Sequence, residues 1–241
     1  MDGLRLGISF SYMPNSLRFC GPQRAHQDFL SYINSPSKKT AAAVESDVKR
    51  FEGLFTYLDA IAAKSKKHFT DYEVVEAYWI GNSLLDKFTS NDVKAIIKAL
   101  TKRGLPAKIA ENKIRSLPKG VFPHHNFNVC YVGVGQVTGA VPTTIRNMND
   151  CMTIPGIVTA IKRKRCKLVV RRKFLQMSEP GLQLGPEMEV EVAYLPQLMT
   201  NVKIGDVVAI HWGFAPMILT KRQQQKVYHI QCLLMFVIQL F

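Results

Sequence analysis

The sequence predicts an α+β protein: an N-terminal all-helical bundle, then a small β-barrel closed by a C-terminal helix. Three observations predict it. Apolar residues recur at helical steps between Thr40 and Ile61. After Pro118-Lys119-Gly120 this period gives way to β-branched and aromatic residues, and from Cys151 onward short apolar runs alternate with turn signals. A chain of 241 residues, 47% hydrophobic, is long enough to bury more than one core. The expected division is a helical domain over 1–118 with an irregular N-terminal arm, a β-rich connector over 119–150, and a barrel with its terminal helix over 151–241.

The first 22 residues show little periodicity, and Met13-Pro14-Asn15 and Cys20-Gly21-Pro22 read as turns. A short helix is expected around His26 to Ile33, ended by Asn34-Ser35-Pro36-Ser37. From Thr40, the residues Val44, Val48, Phe51, Phe55, Leu58 and Ile61 fall at steps of three and four, which predicts the longest helix of the domain. Asp71 is placed to cap the next helix, which carries Val74, Val75, Tyr78 and Trp79 and ends at Gly81-Asn82. Ser90 opens another helix with Val93, Ile96, Ile97 and Leu100, and Ala107 to Leu117 supplies a further short one.

Phe127 to Val132 reads as a strand, with Val137 to Ile145 as its partner. The glycines at 133, 135 and 139 do not form a dinucleotide fingerprint, because no helix with an apolar stripe follows. Strands are expected at Ile157 to Ile161, Lys167 to Leu175, Met188 to Leu195 and Val207 to Ile210, a spacing suited to a small barrel. The helix from Thr220 presents Val227, Ile230, Leu233, Leu234 and Val237 on one side.

The formal net charge of +14 favours acidic partners: a protein surface, a nucleic acid or an anionic membrane. Five widely spaced cysteines with no CxxC pair and no secretory leader point to reduced thiols in the cytoplasm. The apolar run from Cys232 to Ile238 is far shorter than the roughly 20 residues of a spanning helix, so no membrane span is expected.

Two stretches carry the chemistry. Cys151 precedes Met152-Thr153-Ile154-Pro155-Gly156, and His211 follows an apolar run bounded by Gly205-Asp206 and Gly213. Thiolate and imidazole are ligands for iron, copper and zinc, and a Cys151/His211 pair would form an open two-ligand half-site suited to a carrier. His124, His125 and Cys20 are candidate further ligands. Adjacent histidines on an extended chain point to opposite faces, so at most one of His124 and His125 is expected to face the site. The helical domain contains no catalytic or phosphate-binding motif and reads as a docking scaffold.

The segment from Cys151 to about Gln225 resembles the HypC/HybG family of [NiFe]-hydrogenase maturation chaperones. The likeness rests on Cys151-Met152-Thr153-Ile154-Pro155-Gly156, on Gly205-Asp206, and on His211-Trp212-Gly213-Phe214-Ala215. It implies an oligonucleotide-binding (OB-like) barrel and a non-enzymatic accessory role. Cys151 would bind an iron fragment beside His211, Pro155 and Gly156 would fix the turn presenting the cysteine, and Gly213 would shape the second motif. The implied partners are a HypD-like scaffold and a hydrogenase large subunit. In that family the cysteine lies at the N-terminus, whereas Asp150 precedes it here. Three other stretches, Ser11 to Pro22, Val74 to Asn82 and Pro123-His124-His125, are similar to a family of uncharacterised prokaryotic proteins, a likeness that covers most of the chain.

Two alternatives compete with the carrier. Lys162, Arg163, Lys164, Arg165, Lys167, Arg171, Arg172 and Lys173 could line a nucleic-acid groove on a barrel, although only Phe174 is near for base stacking. Cys151 could also act as a nucleophile with His211 as base, which requires hydrogen-bonding reach and an oxyanion site.

Overall fold

The computed structural model describes residues 2–179 and 181–238, with side chains described to residue 231. The class is α+β, with ten α-helices and a five-stranded sheet among the described residues. Residues 3–16, expected as an irregular arm, instead form helix α1 (Gly3–Ser16), opened by the Asp2 carboxylate accepting from the Arg5 N–H at 2.7 Å. Its residues are buried on nearly every side, among them Leu4, Leu6, Ile8, Ser9, Phe10 and Ser11. A helix buried all round shows no single apolar stripe, which is why periodicity did not reveal it.

Helix α2 (Ala25–Asn34) follows the expected bounds. The long helix expected from Thr40 is broken into α3 (Lys38–Arg50) and α4 (Leu54–Ser65). The loop after α1 accounts for the break. The Glu52 carboxylate accepts from the Gly21 N–H at 2.9 Å, and the Phe51 ring lies where a Cβ on Gly21 would stand, at 2.3 Å. Gly21 has φ +77°, so both space and backbone demand glycine there.

Helix α5 (Tyr72–Trp79) starts after Asp71, whose carboxylate accepts from the His68 N–H rather than capping the helix. Helix α6 (Ser90–Leu100) has a reciprocal Thr89/Asp92 capping box, and α7 (Ala107–Arg115) completes this series.

The connector over 119–150 is helical, and no strand occurs there among the described residues. Helix α8 (His125–Phe127) runs into a π-helical turn, Asn128–Gly133, and Thr144 caps α9 (Ile145–Cys151). Phe127, Val129 and Val132 are almost wholly buried, so tertiary packing has overridden their β-propensity.

The strands lie where expected, three of them longer, β1 (Ile154–Lys162), β2 (Lys167–Ser178) and β3 (Gly181–Tyr194), and β4 (Val207–Ile210) with the expected bounds, followed by a further β5 (Phe214–Ala215). Their order is β4-β1-β2-β3-β5. The sheet is open, which corrects the expected barrel. Closure needs the edge strands β4 and β5 to pair, and among the described residues they meet only at the isolated bridge His211↔Phe214. Helix α10 (Lys221–Ile238) ends the described chain, with Val227 and Ile230 buried; the side chains of Leu233, Leu234 and Val237 lie outside the described residues.

One apolar core runs through both halves, joining Leu6, Phe10 and Trp79 to Phe127, Met152, Ile154 and Val227, while Val158, Leu168, Val170 and Val192 form a second core on the sheet. Two buried asparagines tie helices to strands by imitating a strand edge. The Asn126 amide donates to the Thr153 carbonyl at 2.9 Å and accepts from the Thr153 N–H at 2.8 Å. Asn149 does the same to Leu175, at 2.9 and 2.7 Å.

Replacing Asn126 with alanine strands a buried donor and a buried acceptor, which should cost about 2–4 kcal/mol. Thermal unfolding of Asn126→Ala is expected to fall by roughly 5–15 °C. An unchanged midpoint would show that the amide pair does not hold these elements together.

Candidate metal centre

Proline at position 14 shapes the site from a distance. Pro14 lies inside α1 and has no N–H, so the Phe10 carbonyl lacks its usual donor four residues on. His211, just past β4, uses that carbonyl: its Nδ1 lies 2.8 Å from Phe10 O. A carbonyl can only accept, so Nδ1 carries the proton and Nε2 presents a lone pair. His211 is buried, and its Nε2 has no hydrogen-bond partner among the described residues. A hydrogen-bonded Nδ1 behind a free Nε2 is the usual arrangement of a metal-ligating histidine.

Two further side chains converge on this atom. His125 opens α8 and Cys151 closes α9. The ligand atoms of His125, Cys151 and His211 all lie within 4.8 Å of one another. Cys151 Sγ is 3.8 Å from His125 Nε2, and the two imidazoles meet edge to face, 4.9 Å between centroids at 88°. The Asn126–Thr153 pair sits one residue beyond His125 and two beyond Cys151, so it fixes their spacing. His125 Nε2 also lies 2.7 Å from the Cys151 carbonyl, and the Tyr78 hydroxyl is 3.1 Å from Nδ1. Ligation through Nε2 therefore requires the His125 proton to move to Nδ1, where the Tyr78 oxygen can accept it.

Burial sets the electrostatics. It pushes the Cys151 thiol up to about 12, lowers His211 to about 4, and holds His125 well below the ordinary histidine range. The resting cluster is thus a neutral thiol between neutral imidazoles, not the thiolate–imidazolium pair of an activated cysteine nucleophile. A His/Cys/His group so arranged can bind a metal ion, whose charge would favour the thiolate.

A cavity of about 90 Å³ adjoins the three residues, with Phe19, Phe51, Tyr78, Trp79 and Trp212 among its walls. The indole of Trp79 packs on both imidazoles, at 4.3 Å from His125 and 5.1 Å from His211.

The structure brings together Cys151 and His211, as the sequence suggested, and selects His125 from the histidine pair. His124 faces elsewhere: its Nδ1 accepts from the Asn126 N–H at 3.0 Å, and burial lowers it to about 3. Cys20 lines the cavity but stands outside the group of three. His125 joins the expected Cys151/His211 pair, giving a group of three that could hold a metal ion, with both imidazoles buried and Cys151 half-buried. Pro155 and Gly156 do not form a turn; they lie in β1, paired with Ala209 and Val208, and a Cβ on Gly156 would meet Ile210 Cδ1 at 2.6 Å. Cys151 is presented instead by the end of α9. Trp212 and Gly213, at φ +52° and +66°, make the tight turn after His211.

The basic residues do not form one free stripe. Lys162 and Lys167 both pair with Glu191, and Arg171 pairs with Glu187 at 3.0 Å. Arg172 is buried, its guanidinium donating to the Asn149 carbonyl and lying over the Phe174 ring. Arg163 reaches the Val202 carbonyl, while Lys164, Arg165 and Lys173 are exposed. Sequence reasoning did not single out Phe10, Tyr78 or Trp79 for the site. Phe10 sat in the stretch expected as an irregular arm, and Tyr78 and Trp79 sat in a helix whose apolar residues read as ordinary core.

The chain belongs to a family of unknown function (DUF6390), which matches residues 1–238. No curated protein and no solved structure matches it. The whole-chain likeness to an uncharacterised family is thereby established, and the HypC/HybG likeness gains no support from these comparisons. No helix among the described residues is long and apolar enough to cross a membrane.

With the thiol raised to about 12, iodoacetamide at pH 8 should alkylate Cys151 about a thousandfold more slowly in the native protein than in the urea-unfolded chain. Peptide mapping by mass spectrometry measures both rates. Similar rates would contradict the protonated thiol.

Proposed function

We propose that this protein is a non-enzymatic metal-binding accessory protein that holds one thiophilic transition-metal ion on His125, Cys151 and His211. The observation that carries the reading is the buried, unpartnered Nε2 of His211, aligned by the Phe10 carbonyl and standing with a second imidazole and a thiol. An uncompensated buried acceptor is costly, and an ion would satisfy it. One thiolate and two imidazoles suit zinc, copper or iron rather than magnesium or calcium.

A retained ion fits this burial better than one handed on. Delivery of an iron fragment to a hydrogenase-like client, which the HypC likeness implies, requires access to ligands set within the core between helices and sheet. The nucleic-acid reading is weakened by the glutamates that pair with Lys162, Lys167 and Arg171. The nucleophile reading is weakened by a thiol held protonated.

Titration calorimetry with zinc or cobalt(II), on protein purified without oxygen and stripped of metal, tests the proposal. One equivalent is expected to bind, raising the unfolding free energy by about 2.7 kcal/mol at a hundredfold excess over Kd. Cys151→Ala and His211→Ala should each weaken binding by at least about 100-fold, since even outer-shell partners of a ligand contribute 10–100-fold. Cys20→Ser should bind normally. Loss of affinity only in Cys20→Ser, or no binding by the parent protein, would remove the assignment.

A further inference from the structure

The three ligand residues stand between helices and sheet, so an ion needs a way in. Two rings mark where that way runs. Phe19 lies in the irregular segment between α1 and α2, and Trp212 in the turn after His211; both are half-buried, and their rings meet at 4.6 Å and 52°. On the inner side both residues line the cavity of about 90 Å³, together with His125, Cys151 and His211. On the outer side both line a surface basin of about 550 Å³, with Leu17, Pro142 and Asn147 among its other walls. Among the described residues, Phe19 and Trp212 are the two that line both spaces.

The backbone behind each ring is fixed. The Phe19 N–H donates to the Pro14 carbonyl, the Asn15 amide holds the Cys20 carbonyl, and the Trp212 N–H donates to the Asp150 carbonyl. Neither ring belongs to a helix or a strand, so each can turn about its Cα–Cβ bond without opening a ladder of backbone hydrogen bonds. Trp212 also reaches the thiol itself: burial raises Cys151, and a hydrogen bond from the Trp212 side chain works against that rise. The ring pair thus separates the basin from the ligand that carries the sulfur.

We infer that Phe19 and Trp212 form a two-ring door between the basin and the metal centre, and that ions reach and leave Cys151 when these rings part. The inference deepens the metal reading above and rests on it for the passage of the ion, whereas the reach of a thiol reagent through the same door stands apart from it. Such a door sets the speed of exchange and leaves the affinity alone, because neither ring supplies a ligand atom.

The experiment follows rates on the full chain in the parent, in Phe19→Ala and in Val141→Ala, since Val141 lines the cavity but not the basin. Stopped-flow absorbance records cobalt(II) uptake by metal-free protein and its removal by excess EDTA. Peptide mapping records the alkylation of metal-free Cys151 by iodoacetamide, with Cys130, which does not line the cavity, as the internal reference. Phe19→Ala should speed uptake, removal and Cys151 alkylation by about tenfold each, the effect of losing one aromatic pair that holds the closed state. One equivalent should still bind at unchanged Kd, and Cys130 and Val141→Ala should react as in the parent. Parent-like rates in Phe19→Ala, or acceleration only in Val141→Ala, would overturn the door. Equal acceleration at Cys130 would overturn it as well, because that reports a general loosening of the fold. Should Phe19→Ala not fold, Phe19→Leu, which also removes the ring, gives the same comparison. A parent that takes up no cobalt would remove the metal reading, and alkylation alone then decides: Cys151 modified no faster in Phe19→Ala overturns the door.

Discussion

A proline cannot donate a backbone hydrogen bond, and the geometry of the site depends on that constraint. Pro14 leaves the Phe10 carbonyl without its helical donor, and His211, 201 positions away in the chain, supplies one at 2.8 Å. The bond joins the first helix to the end of β4 and selects the imidazole tautomer. Fixing the proton on Nδ1 turns the lone pair of Nε2 toward His125 and Cys151. The Asn126 and Asn149 amides then lock α8 and α9 onto β1 and β2, so the other two ligand atoms are held by backbone rather than by flexible loops. Helices and sheet thus share one core, and the cluster sits where they meet.

Leaving buried polar groups unpaired is costly. Buried polar groups in folded proteins are nearly always paired, yet His211 Nε2 and Trp79 Nε1 both lack partners among the described residues. Each stranded group sacrifices of the order of 1–3 kcal/mol. Departures of this kind cluster where binding repays them. The π-helical turn after α8 and the left-handed Trp212 next to His211 are further local irregularities around the same cavity.

Much of the fold was legible because amphipathic helices and half-buried strands write their period into the sequence. Helices α2, α5, α6 and α7 and strands β1 to β4 fell close to their expected places for that reason. Helix α1 and the 125–133 segment were missed because both are buried on all sides, which erases the stripe, and because Pro14 and the β-branched residues at 129, 132 and 134 mimic turn and strand signals. The break at Phe51-Glu52-Gly53 came from contact with a loop thirty residues earlier, which local sequence does not encode. Cys151 and His211 were visible as the two chemically distinctive residues of their segments, and His125 was half visible in the His-His pair. Trp79 was not, since an unpaired indole can be seen only once its neighbours are in place. The barrel was overdrawn: strand spacing indicates how many strands form, while closure depends on a ladder between the edge strands β4 and β5, which meet only at the His211–Phe214 bridge.

The most direct test of the central claim is X-ray absorption spectroscopy of the metal-loaded full-length protein, with zinc as the bound ion. The account predicts one sulfur scatterer near 2.3 Å and two imidazole nitrogens at about 2.0–2.1 Å, with the sulfur lost in Cys151→Ala. A shell of oxygen and nitrogen alone, or two sulfurs in the parent protein, would contradict a centre built from His125, Cys151 and His211.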